Sequence, residues 1–453
     1  MSGAPSTVSG MSITAPVQGY SYAGPSGMAD GRLGLATSGG RTRAGTAARP
    51  HFFSGVVTRP APAAAALLGV AEVARTRYHR PGGASRDPVI TCNGDRLRLE
   101  SFSGCGGVHA RLDLLPAALD GDVHDLGTTN IDVNAPLREA LARVGGDDPL
   151  HLAVGGAEVV VTTGDGATVE RKVPLPERWL RGFAEVQVIT AGFDPRAELR
   201  GPDAVRFLRS LRTGGSLWFV PAGRTLRPAA QPQPGAVHLA GPERLRTMLP
   251  LLRFATALRV YGPPAPDGPV ASVWELELPG MRYVLSVSPA THRGFSGEGA
   301  VLAALAGADA DRAADDAELV GGLLSFEPRI DPVGLADRSG LPVDRVRAAL
   351  ACLGAAGRVG FDAAEAACFH RELPYDAARV TELNPRLRAA RDLAAEVRFD
   401  ADGSAAVPGT GRDHRVAAGG ASCTCEWWAR YRGGRGPCRH ILAAALAGRE
   451  ETR

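Results

Sequence analysis

Apolar and polar positions alternate most clearly in Arg96-Leu97-Arg98-Leu99-Glu100, where both leucines fall on one face of an extended strand. The surrounding span 89–114 predicts a sheet with one buried side, and a helix-like stretch at 64–75 precedes it. Between about 125 and 290 one unit recurs three times, a short amphipathic helix followed by two or three strands. The helices are predicted at 136–144, 202–211 and 242–254. Strands follow the first at 151–154, 158–163 and 169–173, the second at 216–221 and 236–239, and the third at 258–261, 272–278 and 282–287. Helix-then-hairpin units in series predict an α+β region, 51–308, built around antiparallel sheet.

Farther along, helices are predicted at 317–326, 332–338 and 343–355, then two β-like runs at 358–362 and 367–373. In the third helix Val346, Ala349, Leu350 and Leu353 share one face, which leaves Asp344, Ala348 and Ala351 pointing outward. Base edges are read by Arg, Asn, Gln or Lys, and only Arg345 and Arg347 on the flanks offer that chemistry. The run 309–318 holds five carboxylates and one arginine without the Gly and terminal Glu of an EF-hand loop, so it reads as a linker or a helix start. Three helices and a hairpin resemble a winged helix over 317–375. The earlier helix-and-strand units are similar to those of DNA sliding clamps in order alone, with no shared motif.

Composition narrows the function. Fifty-one basic against 48 acidic side chains leave a net charge of +3 over 453 residues, so any polyanion-binding surface must be local. Lys172 is the only lysine, and the excess of Arg, Ala and Gly reads as the coding bias of a GC-rich bacterial genome. Lys172 stands in Glu170-Arg171-Lys172-Val173-Pro174 with no glycine loop before it, which excludes a P-loop NTPase. Kinase signatures, a Gly-x-Ser-x-Gly elbow and a His-Glu-x-x-His pair are missing too, and His292 and Ser296 beside Gly294 read as a turn. A non-catalytic protein is expected. Residues 1–50, dominated by Ser, Gly, Thr, Ala and Pro, predict a flexible tail without the basic and apolar regions of a signal peptide. The most apolar stretch, 61–74, is too short to span a bilayer and carries Glu72, so a cytoplasmic protein is expected.

The strongest chemical signal lies near the C-terminus, where Cys423-x-Cys425 is followed after twelve residues by Cys438-x-His440. Two close pairs joined by a loop make a tetrahedral chelate. Three thiolates and one imidazole select Zn²⁺, and a full ligand set leaves no open position for water, so one structural zinc is expected. Runs at 414–417 and 421–422 predict a hairpin that delivers the first pair. A helix from about 438, with Ile441, Leu442, Ala445 and Leu446 on its apolar face, carries the second pair and stops at Gly448.

These residues resemble a SWIM-type zinc finger, placed here at 396–450, of the actinobacterial type that lacks an ATPase domain. The resemblance implies Cys423, Cys425, Cys438 and His440 as ligands and a module that binds DNA or protein. Trp427, Trp428 and Tyr431 alternate with Arg430, Arg432 and Arg435, which offers stacking faces beside phosphate-binding cations. Two readings stand. In one the finger binds DNA or RNA through Trp427, Arg430, Tyr431, Arg432 and Arg435; in the other it is a protein-interaction adaptor whose aromatic rings pack the zinc core. Cys92, Cys105 and His109 would form a second metal site only with a fourth ligand such as His79 or His124, and the glycine-rich turn 103–107 explains that segment without metal. Cys352 and Cys368 read as packing thiols.

Overall fold

The computed structural model describes residues 51–79, 88–146, 148–173, 175–266, 268–295, 298–301, 310–373 and 385–450, with strand fragments between Ser21 and Thr46. The tail reading of 1–50 otherwise falls outside the described residues, as do Ser296 and Asp309. One fragment, Arg32–Gly34, pairs with Leu175–Pro176.

The helix-and-strand unit occurs four times. The first is β1 (His51–Val57), α1 (Pro60–Arg75), β2 (Val89–Cys92), β3 (Leu97–Phe102) and β4 (Val108–Leu114). The second is β5 (Leu119–Val123), β6 (Gly127–Asn130), α2 (Ala135–Arg143), β7 (His151–Gly155), β8 (Glu158–Thr163) and β9 (Gly166–Arg171). After α3 (Glu177–Thr190) come β10 (Asp194–Arg200), α4 (Gly201–Ser210), β11 (Ser216–Ala222), β12 (Thr225–Ala229) and β13 (Val237–Ala240). The fourth unit is a 3₁₀ helix, Pro242–Leu251, with β14 (Ala257–Gly262), β15 (Ser272–Leu278) and β16 (Met281–Val287). That segment was expected to be α-helical. Pro250 lies inside it and can neither donate to the preceding turn nor avoid its carbonyl.

Eight strands form one sheet in the order β6-β2-β3-β4-β16-β15-β14-β10, and five form another in the order β5-β1-β7-β8-β9, all antiparallel. The β4–β16 pairing, from Val108 opposite Val287 to Leu114 opposite Met281, fuses the first and last units into a single sheet. On one side of it, Leu97, Leu99, Ala110, Leu112 and Leu285 pack with Ala66 and Val70 of α1 in the main core. Pro60 and Pro62 start that helix, where a missing N–H costs nothing.

The other side of β3 corrects the one-buried-side expectation. Every residue of β3 and β4 is buried, including Arg98, Glu100, His109, Arg111 and Asp113. Over Glu100 and His109 lies α3, a helix not expected from the sequence although Trp179, Phe183 and Val186 recur at helical spacing. Phe183 meets Phe102 edge-on at 4.9 Å. Three further helices follow: α5 (Ala310–Leu323), α6 (Pro332–Ser339) and α7 (Val343–Ala355), then the hairpin β17 (Val359–Asp362) and β18 (Ala367–His370). The first begins earlier than expected, inside the acidic run, and ends before Phe326, whose φ of 59° is left-handed. Val320, Leu335, Val346, Ala349, Leu350 and Leu353 make a separate small core. Burial raises the Cys352 thiol and pushes Cys368 up to about 11, as packing thiols require.

This hairpin reaches back to the large sheet through charge. Asp362 accepts from Arg98 at 3.0 Å and Arg282 at 2.6 Å, Asp113 pairs with Arg98 and Arg111, and Arg371 grips both oxygens of Glu100 at 2.7 Å. His109 faces the same carboxylate at 3.2 Å. Asn93 donates to the carbonyls of Phe326 and His370, and the Phe361 N–H donates to Gln187 of α3. Among the described residues, no helix is long and apolar enough to cross a membrane.

Candidate metal centre

The C-terminal module is assembled from α8 (Pro385–Ala394), the three-stranded sheet β19 (Arg398–Phe399), β20 (Ala405–Val407) and β21 (His414–Val416), and the helices α9 (Glu426–Tyr431) and α10 (Arg439–Glu450). Its core joins Leu387 and Ala390 of α8 to Val407, Val416, Leu442 and Ala443, so the packed unit reaches back to α8. β21 pairs with β20 along its length and meets the first cysteine pair through a single bridge, Val416 to Cys423. The expected 414–422 hairpin is thus one edge of a larger sheet. Gly448 does not stop the last helix; it lies inside α10, against the Phe399 ring.

Cys425 is the N-cap of α9, and the Trp428 N–H donates to its sulfur at 3.4 Å. Cys438 stands before the first turn of α10, where the Ile441 N–H donates to its sulfur at 3.5 Å. Two helix starts therefore present amides to two sulfurs, the arrangement that favours thiolates. His440 Nδ1 lies 3.8 Å from Cys423 Sγ and 4.0 Å from Cys438 Sγ, and the four ligand atoms all lie within 4.8 Å of one another. A tetrahedron with Zn–S bonds of about 2.3 Å has edges of about 3.8 Å, so the four groups are gathered to hold one zinc ion with small side-chain adjustment. All four are buried, and they are the one such cluster of His, Cys and carboxylate groups among the described residues. Cys438 is the most acidic thiol: a hydrogen bond from Cys423 outweighs burial and holds it down to about 4. The partner relation, with burial, raises Cys423, and burial raises Cys425.

The SWIM zinc finger family model matches residues 414–448. The C-terminal module is a SWIM zinc finger. Cys423, Cys425, Cys438 and His440 are arranged in it to hold one zinc ion. No curated protein matches the chain. Among solved structures, proliferating cellular nuclear antigen from Entamoeba histolytica is similar over 53% of this chain and 99% of that one, at 9% identity and a TM-score of 0.35.

Around the SWIM finger, the residues read as nucleic-acid contacts divide into two sets. The Trp427 and Tyr431 rings lie 4.6 Å apart, and Arg435 covers both, at 5.0 and 4.7 Å. Arg386 of α8 stacks on Trp427 at 4.7 Å and donates to the carbonyls of Arg435 and Pro437. These groups brace the loop 432–437 from within. Arg430 and Arg432 are exposed, the first beside Tyr431 at 5.4 Å. Trp428, half-buried, packs against the finger's core, as Trp427 does.

The finger also touches the body. A Cβ on Gly299 would sit 2.7 Å from the Arg435 carbonyl, and one on Gly436 2.7 Å from the Gly299 carbonyl, so two glycines permit backbone-to-backbone contact. Two carboxylates lie nearby, Glu185 buried and Glu298 half-buried. Glu298 is raised by burial and pairs with Arg293 at 2.8 Å, and burial pushes Glu185 of α3 up to about 7 although it accepts from the Val301 N–H at 3.2 Å.

The second candidate cluster does not assemble. Cys92 turns its thiol to the Phe52 carbonyl at 4.0 Å, Cys105 sits 3.4 Å from the Ser103 hydroxyl, and His109 faces Glu100. His79 approaches His292, with ring centres 6.1 Å apart.

Proposed function

We propose that this chain is a non-catalytic, zinc-binding recognition protein of the cytoplasm that associates with nucleic acid through its SWIM finger. The observation that supports this is the pair Arg430 and Arg432, exposed at the last turn and cap of α9 where it runs into the loop that the Arg386 bridges brace. Among the described residues neither forms an ion pair with a carboxylate. A braced helix end presenting guanidinium groups without carboxylate partners is pre-organised for phosphate oxygens. Contact through the winged-helix-like segment has less support, because Asp316 holds Arg345 at 2.6 and 2.8 Å and Asp344 holds Arg347 at 3.1 Å.

A protein-interaction adaptor using the same finger is the second reading, favoured by the Trp427 and Tyr431 faces that Arg386 and Arg435 already cover. Salt separates the two. The zinc-loaded full chain should bind labelled DNA or RNA with an affinity that falls steeply as salt rises, and the double variant R430A/R432A should flatten that slope. Stoichiometric zinc with no salt-sensitive binding would transfer support to the adaptor reading.

A further inference from the structure

Between the finger and the α+β body lies a cleft of about 1040 Å³. Arg430, Tyr431 and Arg432 line its finger wall, and Phe193, Gly215 and His292 line its body wall. We propose that this cleft holds a stretch of single-stranded nucleic acid. The proposal rests on the nucleic-acid reading above and adds the form of the ligand and a second wall that the finger does not contain.

Size decides the form. The volume stands at the upper end of small-ligand sites, about 300–1,000 Å³. It admits a few unpaired nucleotides and is too small to enclose a turn of duplex. Chemistry agrees. Phe193 and the neighbouring Pro263 and Val270 give an apolar surface for bases, opposite two exposed guanidinium groups for phosphates. The two carboxylates on the lining are already engaged: Glu243 accepts from the Gly214 N–H at 2.8 Å, and Glu298 pairs with Arg293. At Gly214 and Gly215, with φ of 79° and 81°, a Cβ would meet nothing within 4 Å, so bare backbone faces the space and a strand can approach closely.

Arg432 adds an independent sign. It ends α9 in the left-handed conformation, φ 45°, where glycine is the favoured residue and any other costs about 1 kcal/mol. An arginine is held there at the mouth of the cleft against that preference. Backbone strain of this kind clusters at ligand-binding loops.

The test uses the zinc-loaded full chain, a fluorescent oligothymidylate about a dozen nucleotides long, and its duplex with oligodeoxyadenylate. The single strand should bind at least about tenfold more tightly than the duplex, as stacking on freed bases implies. R432G relieves the left-handed strain, so it should keep its zinc and thermal midpoint while lowering the slope of log affinity against log salt by about 0.7. H292E places a carboxylate on an exposed turn of the opposite wall and should weaken the single strand several-fold with zinc content unchanged. Equal binding of duplex and single strand, or a silent H292E beside an impaired R432G, would overturn the cleft and leave the finger reading standing. Binding of neither oligonucleotide would overturn both.

Discussion

The carboxylate of Asp362 lies 2.6 Å from the guanidinium of Arg282, and neither is open to solvent. Asp362 closes the first strand of a hairpin that also meets Gln187 of α3, Arg111 and Asn93, while Arg282 belongs to the strand that fuses the two halves of the large sheet. Arg98 and Arg111 reach the same carboxylate, and Asp113 supplies the second negative charge. Three guanidinium groups and two carboxylates have been withdrawn from water together. Such a cluster adds little net stability over an apolar one, but it makes the position of the hairpin depend on every member.

The variant D362N keeps the shape and removes the charge, leaving three buried arginines with Asp113 and the partly exposed Glu365. We expect a loss of about 3–5 kcal/mol, read by urea unfolding, with protease cleavage appearing in 310–373. The same cluster sets an acid limit. Burial alone would raise the Asp362 carboxyl, but Arg111, Arg98 and Arg282 together hold it well below the usual range, and Arg371 and His109 do the same for Glu100. Their folded pKa values lie below the unfolded ones of about 4, so the unfolded chain takes up protons first. The stability they contribute is present at neutral pH and is lost as pH falls below about 4. An acid transition of the same steepness in D362N would show that other groups govern it.

Glu185 works in the opposite direction. Its folded pKa of about 7 is above the unfolded value of about 4.3, so between these the folded state holds a proton that the unfolded state lacks. Stability should therefore decline as pH rises through that window. E185Q, neutral at every pH, should remove the decline, measured as the thermal midpoint from about pH 5 to about pH 8. A wild-type midpoint that is flat across the window would count against the buried carboxyl.

Zinc removal should unfold the finger and spare the body. The finger core is small, with the four ligands among its buried groups, so metal binding supplies much of its folding free energy. A strong chelator, or C438S, should abolish protection of amides in α10 while the eight-stranded sheet keeps its cooperative transition, as hydrogen exchange reports. Zinc content unchanged in C438S would remove that residue from the ligand set.

Arg345 separates structure from recognition. R345A breaks the paired hydrogen bonds to Asp316, which is buried, and should destabilise the three-helix segment by about 1–3 kcal/mol. The salt slope of nucleic-acid binding should stay at its wild-type value. A fall in that slope would bring α7 into the interface.

Several features were legible in the sequence because they are local. The spacing of Cys423, Cys425, Cys438 and His440 specifies two chelating pairs wherever the loop between them runs, and the four atoms do converge. The span 343–355 was bounded to the residue, since Val346, Ala349, Leu350 and Leu353 repeat at helical period. Alternation in Arg96–Glu100 correctly placed Leu97 and Leu99 on one face. It could not say what covers the other, because the period of a strand sorts side chains onto faces and leaves open whether water or protein lies beyond. One carboxylate partner of Arg98, Asp362, stands 264 residues away, and charge complementarity over that distance leaves no periodic trace in the sequence. The same holds for the close approach of Gly299 to Gly436, and for the cleft that opens where the two bodies meet. Sequence by itself determined the ligand set, the strand faces and the α7 helix, each a matter of short-range spacing. Only the tertiary structure decided which polar faces are buried and that, of Arg430, Arg432 and Arg435, the last is consumed in bracing and the first two stay exposed, because those outcomes depend on contacts between segments far apart in the chain.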